Sequence, residues 1–233
     1  MERSRGGGER DDGRYARERE RMVDEQVAAR GVTDPRVLAA MRRVPRHRFV
    51  QEALRERAYG DHPLPIGEEQ TISQPFIVGL MTSLLELSGR EKVLEVGTGS
   101  GYQTAVLATL ARRVCSIERL PRLAERARAI LESLGHDNVW IRVGNGALGW
   151  PDEAPFDRII VTAGGPAVPP PLVQQLADGG RMVVPVGGPD NQVLTVVENA
   201  GGDIRQRTHG ECKFVPLVGR YAWEPERGDG RVQ

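Results

Sequence analysis

Net charge is what this 233-residue chain most plainly lacks, since 32 Lys and Arg are matched by 32 Asp and Glu. Without a long-range field toward nucleic acid or an anionic membrane, neither is expected as a partner. Cysteine is scarce as well. Cys115 and Cys212 sit in apolar, strand-like runs without metal-type spacing. That excludes a disulfide scaffold, gives no ground for a metal site and predicts two buried free thiols. No apolar run approaches the roughly 18–20 residues of a membrane span. The start, Met1 to Gly13, is charged and glycine-rich and has no apolar segment of a secretory signal. A cytoplasmic, monomeric protein is the expectation. At this length the chain can build one α/β domain with a substantial core.

What the chain does have is concentrated between Lys92 and Ala105. Val93, Leu94 and Val96 make a short apolar run of the kind buried on both faces of a parallel sheet. Gly97, Gly99 and Gly101 follow at alternate positions, and Tyr102 to Leu110 reads as a helix rich in Ala and Leu. Strand, glycine turn and helix open a nucleotide-binding βαβ unit, because glycine lets the backbone reach φ > 0 and approach a ligand closely. A second apolar strand, Arg113 to Glu118, ends in a carboxylate placed to accept hydrogen bonds from ribose hydroxyls. Two cofactor classes fit such a unit. A dinucleotide site calls for G-x-G-x-x-G, whereas this loop reads G-x-G-x-G with Glu95 two residues before it. Glu-x-Gly-x-Gly-x-Gly resembles the first motif of Rossmann-like methyltransferases that use S-adenosyl-L-methionine, whose ammonium acidic and carbonyl groups can hold.

Around that unit the chain divides by composition. Residues 1–16 are charged and read as a disordered tail, and 226–233 as a second tail. Residues 17–88 carry N-terminal helices: one from Glu18 toward Gly31, and one capped by Asp34-Pro35 and stopped by Val44-Pro45. Arg42, Arg43, Arg46 and Arg48 form a basic cluster expected to face solvent. From Tyr59 to Pro75 runs a polar, punctuated loop that leads into a helix capped by Ser73 or Gln74. From 89 to 225 strands and helices alternate. Strands are expected at 138–143, 156–161 and 179–186, with antiparallel material at 192–198 and 205–217. Repeated βα units predict one mostly parallel sheet with helices on both faces. Its strand tips would bring Gly97–Gly101, Glu118, Asn145–Gly146 and Thr162–Gly165 into one pocket.

Several stretches together resemble the protein-L-isoaspartate O-methyltransferase family. They are Val44-Pro-Arg-His-Arg-Phe-Val, Gln70-Thr-Ile-Ser-Gln-Pro, the glycine loop, Gly144-Asn-Gly-Ala-Leu-Gly-Trp, Gly179-Gly-Arg-Met-Val-Val-Pro-Val-Gly and Phe214-Val-Pro-Leu-Val-Gly. The resemblance spans about Glu18 to Trp223, and its most specific part is Thr-Ile-Ser-x-Pro. It implies methyl transfer from S-adenosyl-L-methionine to the carboxylate of isoaspartyl residues in damaged proteins and peptides, which begins repair through a succinimide. Carried over by position, Ser73 is the active-site residue, and Gln70, Thr71, Ile72 and Asp61 belong to the acceptor side. The cofactor side comprises Glu95, Gly97, Thr98, Gly99, Ser100, Gly101, Glu118, Arg119, Asn145, Gly146 and Ala147. Where the family carries Gly-Asp-Gly this chain has Asn145, so cofactor binding is expected to be modestly weaker. His47 and His62 are read as structural or rim residues, because a carboxylate with pKa near 4 is already ionised and needs no general base.

Other readings of the same residues are a methyltransferase with a different acceptor, a nicotinamide-dependent oxidoreductase, and a non-catalytic nucleotide-binding module. Thr162-Ala-Gly-Gly-Pro stands where amino-group methyltransferases carry Asn/Asp-Pro-Pro-aromatic, which disfavours that acceptor class.

Overall fold

The computed structural model describes residues 6–224, with side chains from residue 13 onward. A seven-stranded sheet forms its centre, in the order β5 (Val139–Val143), β4 (Arg113–Glu118), β3 (Lys92–Val96), β6 (Phe156–Val161), β7 (Leu176–Gly187), β8 (Gln192–Ala200) and β9 (Asp203–Cys212). The first five are parallel, and β8 and β9 add antiparallel at one edge. Alternate residues of the inner strands go to opposite faces. Leu94, Val96, Ile159, Val161, Met182 and Val184 join one apolar cluster, while Val93, Ile160 and Val183 join another. The second face is covered by α3 (Pro75–Leu84), through Met81, and α4 (Tyr102–Leu110), through Leu107 and Ala108. The first is covered partly by Leu172 of α6 (Pro170–Gln174) and Ala147 of the short turn after β5.

The order in which strands are added to the sheet reverses between β3 and β6. β3 leads through α4 to β4 on one side, and α5 (Pro121–Ser133) leads on to β5, whereas β6 pairs on the other flank of β3. That switch opens a crevice beyond the carboxyl ends of β3, β4 and β6.

The N-terminal helices share a core with α4 and α5. Val23, Val27, Val37 and Met41 cluster with Tyr102, Val106, Leu123 and Ala127. Helix α1 spans Gly6–Arg21, so it covers much of the stretch that composition marks as a disordered tail. Its anchor is Tyr15, which is buried and stacks on His47 with ring centroids 4.2 Å apart. The expected tail at 226–233 lies outside the described residues. Asp34 caps α2 (Pro35–Arg43) as expected, its carboxylate accepting from Arg36 N at 2.9 Å.

Two local expectations are corrected. The stretch 59–75 is not all loop, because β1 (Leu64–Gly67) and β2 (Gln70–Ile72) pair as an antiparallel hairpin. Its turn residues Glu68 and Glu69 both have positive φ, 52° and 56°. The sequence hides the hairpin because two glutamates occupy left-handed positions where Asn-Gly would be the usual signal. Arg46 does not join a solvated cluster either: it is fully buried. Of its neighbours in sequence, Arg42 pairs with Glu20 and Asp24 at the surface.

Candidate active site

The crevice is a cavity of about 650 Å³, within the range usual for small-ligand sites. One half is made by the strand tips. Gly97, Gly99 and Gly101 all have positive φ, at 97°, 54° and 88°. Gly97 is constrained a second time, since a Cβ there would run into the Thr162 hydroxyl. That hydroxyl donates to the Gly97 carbonyl at 2.6 Å and ties the tip of β6 to the glycine loop. Gly101 N bonds back to Thr98 O at 2.9 Å, and its own carbonyl accepts from Ala105 N to start α4.

Glu118 ends β4 with its carboxylate caught by the loop. Gly99 N donates to one oxygen at 2.8 Å and Leu120 N to the other at 2.9 Å. Each oxygen keeps acceptor capacity for a ligand hydroxyl. Glu95 is placed otherwise than expected. It is completely buried beneath the loop and does not line the cavity. Thr104 and Ser116 hydroxyls each donate to its Oε2 at 2.6 Å, and the Ser116 and Thr98 hydroxyls are 2.6 Å apart. Burial pushes the Glu95 carboxyl up to about 8, so it is protonated at neutral pH. It reaches the cavity wall through Ser116 and Thr98.

The other half comes from the hairpin. Gln70, Thr71, Ile72 and Ser73 line the cavity opposite the glycine loop, and Ile66 of β1 lies over Gly99. Ser73 does not cap α3, where Gln74 holds the N-cap position without a side-chain cap bond. Instead the Gln74 amide donates to the Asp61 carboxylate at 2.9 Å, which also pairs with Arg30 at 3.1 Å. Asp61 is not among the cavity walls and is tied to the start of α3 through Gln74.

Of the residues singled out from sequence, the cavity collects Gln70, Thr71, Ile72, Ser73, Gly97, Thr98, Gly99, Ser100, Glu118, Arg119 and Gly146. Asp61, Glu95, Gly101, Asn145 and Ala147 are not among its walls. Ala147 is buried beneath the turn, and Gly101 packs against Ala127 and Phe49. Asn145 caps that turn through Ala147 N at 3.1 Å, and its amide donates to Arg220 O at 3.4 Å. An aspartate could make the first bond but not the second. His47 and His62 do not line the cavity, in line with structural roles.

The roof of the cavity comes from the segment after β9. Beyond β9 the chain crosses the cavity mouth, so that Val215 to Val218 and Trp223 line it. Gly164 at the tip of β6 holds this strap. Its N–H donates to Val215 O, and its carbonyl accepts from Leu217 N and, at 3.1 Å, from Trp223 Nε1. The signal available was Phe214-Val-Pro-Leu-Val-Gly, a stretch of the resemblance with no local period that points toward a cavity. Tyr102 and Gln103, read only as the start of a helix, also line the site.

A parallel sheet with a central switch point, a left-handed glycine turn after its first strand and an acidic residue at the end of the next defines a Rossmann-like domain of the methyltransferase type. A sequence model of the protein-L-isoaspartate(D-aspartate) O-methyltransferase family matches residues 17–222, and the chain belongs to that family. A protein-L-isoaspartate O-methyltransferase of Syntrophobacter fumaroxidans is 59% identical over 210 residues, covering 90% of this chain and 98% of that protein. Its counterpart in Syntrophus aciditrophicus is 58% identical over 213 residues, covering 90% and 98%. Among solved structures, a protein-L-isoaspartate O-methyltransferase superposes with a TM-score of 0.79 at 29% identity, covering 88% of this chain and 67% of that one. A Plasmodium falciparum structure described as a putative member, in complex with S-adenosyl-L-homocysteine, gives 0.75 at 25% identity, covering 86% and 98%.

Proposed function

We propose that this protein transfers the methyl group of S-adenosyl-L-methionine to the carboxylate of L-isoaspartyl residues in damaged proteins and peptides. The observation that carries the reading is the meeting of two unlike walls in one cavity, the glycine loop with Glu118 and the hairpin residues Thr71 to Ser73.

The residues fit the cofactor. Three left-handed glycines leave room at the loop, and the Glu118 carboxylate keeps free acceptor capacity for ribose hydroxyls. Gly146, where a Cβ would run into Val96, lets the backbone border the adenine. When bound, S-adenosyl-L-methionine supplies a methyl group made electrophilic by its sulfonium.

The remaining work falls to the chain. The acceptor is ionised at neutral pH and needs no proton removed, so alignment and exclusion of water decide the rate. Ser73 and Thr71 present hydroxyls that orient the carboxylate without the strong pairing by which a lysine would blunt it. Ile72, Val215 and Leu217 supply apolar wall, and the strap held by Trp223 narrows the entrance to water. The ester formed is a better leaving group than a carboxylate, and ring closure to the succinimide follows without the protein. The described residues include no helix long and apolar enough to cross a membrane. The balanced charge favours proteins and peptides over nucleic acid as acceptors, and the proposed enzyme is a cytoplasmic one.

The test is transfer of labelled methyl to paired synthetic peptides that differ only in carrying isoaspartate or aspartate at one position. Base-labile label on the isoaspartyl peptide alone is the expected result. Label on neither, with S-adenosyl-L-homocysteine shown to bind, would mean that the acceptor is something else.

A further inference from the structure

Arg46 is fully buried at the base of the acceptor wall. Its Nε donates to Ala58 O at 2.7 Å and its Nη2 to Ser73 O at 2.9 Å. The guanidinium lies over the ring of Tyr102, 4.9 Å from the centroid, and Tyr102 itself lines the cavity. Nη1 has no hydrogen-bond partner, and no carboxylate among the described residues forms an ion pair with Arg46. The ionisable groups that face it are the phenols of Tyr102 and Tyr59. Burial pulls its pKa down to about 10, which leaves it charged at neutral pH. An unpaired buried guanidinium is costly, and a fold that needed only apolar packing here would do better with an aliphatic side chain.

The cavity explains the charge. Its described lining carries three carboxylates, Glu69, Glu118 and Glu224, against one cation, Arg119, which adjoins Glu118 on the cofactor side. The sulfonium of the donor offsets these carboxylates at the cofactor end, and positive charge near the hairpin is what offsets them where the anionic acceptor enters. A cation in direct contact would pair with the attacking oxygen and reduce its nucleophilicity. One peptide group behind the wall, it attracts without pairing, and in a low-dielectric interior its field is weakly screened.

We propose that Arg46 is a positioning residue for the acceptor: it fixes the Ser73 main chain and supplies the positive potential that draws the isoaspartyl carboxylate to that end of the cavity. This rests on the reading of Ser73 as part of the acceptor site. The role differs from that of a scaffold residue in one observable respect, since it favours the charged acid over its neutral methyl ester.

The measurement is the affinity of the isoaspartyl peptide and of its methyl ester, each with S-adenosyl-L-homocysteine bound, in the wild type, Arg46→Gln, Arg46→Met and Arg46→Lys. In the neutral variants the preference for acid over ester is expected to fall about tenfold, with ester affinity and S-adenosyl-L-homocysteine affinity each within about threefold of wild type. Arg46→Lys keeps the charge and is expected to restore most of the preference. Arg46→Met carries the comparison if Arg46→Gln does not fold. An unchanged acid-to-ester ratio in a folded neutral variant overturns the proposal. So does a parallel loss of peptide affinity, cofactor affinity and melting temperature that Lys fails to rescue. A wild type that methylates no isoaspartyl peptide defeats the functional reading itself, whereas an active wild type with indifferent variants defeats this inference alone.

Discussion

The two halves of the cavity are built on different principles. The half proposed for the cofactor is secondary structure, with the tips of β3, β4 and β6 closed by main-chain bonds and by a glutamate held by the loop it faces. The half proposed for the acceptor is a short hairpin and a terminal strap, joined to the rest of the cavity by a few main-chain bonds at Gly164 and by side chains reaching to main-chain carbonyls. Arg126 grips Ile66 O at 2.8 Å, Arg46 grips Ser73 O, and Trp223 grips Gly164 O. A wall made from the sheet is as rigid as the sheet, whereas a wall tied by a few side chains can be tuned one bond at a time. Damage to the first half is therefore expected to fall on cofactor affinity and stability together, and damage to the second on acceptor handling alone.

The sharpest way to break this division is Gly97→Ala. The new methyl meets the Thr162 hydroxyl at a backbone with φ of 97°, so binding of S-adenosyl-L-homocysteine by calorimetry is expected to vanish and stability to drop by about 1–3 kcal/mol. Ser73→Ala stands on the other side, with turnover on the isoaspartyl peptide falling about 100-fold while S-adenosyl-L-homocysteine binds as before. Equal losses in both would erase the distinction between the halves. Glu118→Gln keeps the shape but gives up the charge and, because its amide nitrogen cannot accept, one of the bonds from Gly99 N and Leu120 N. An approximately tenfold weaker cofactor affinity with unchanged peptide KM is expected.

Glu95 tests the foundation of the cofactor half through pH. Its carboxyl titrates near 8 in the fold against an ordinary 4.5. Between those values the folded protein holds a proton that the unfolded chain has released, so stability falls as pH rises from about 4.5 through about 8. Glu95→Gln is expected to flatten that decline in melting experiments and to overtake wild type above pH 8, and a variant that melts in parallel with wild type would contradict it. Trp223→Phe is the mildest change. Removing one indole bond to Gly164 is expected to raise peptide KM about two- to fivefold with little change in kcat.

Much of the cofactor half was legible because its determinants are local. A buried strand, glycines at alternate positions and a helix follow within fourteen residues, and α4 and β4 occupy the stretches that periodicity assigns to them, Tyr102–Leu110 and Arg113–Glu118. The hairpin at Leu64–Ile72 was not legible, because its turn places glutamates where turn chemistry calls for glycine or asparagine. The burial of Arg46 is hidden in the sequence for a related reason. An arginine among arginines reads as surface, and only a neighbouring ring and two unclaimed carbonyls from distant segments make its burial possible.

The residues alone determined a parallel α/β sheet with a glycine-rich cofactor turn, since strand period, left-handed glycines and helix caps act over a few residues and need no partner elsewhere. Tertiary structure decided which carboxylate faces the cavity and which lies beneath it, Glu118 or Glu95. It also decided that the segment after β9 becomes the roof and that a buried cation stands behind Ser73. Those outcomes depend on contacts between segments far apart in the chain, such as Gly164 with Trp223 and Arg46 with Ser73, and no local pattern encodes them.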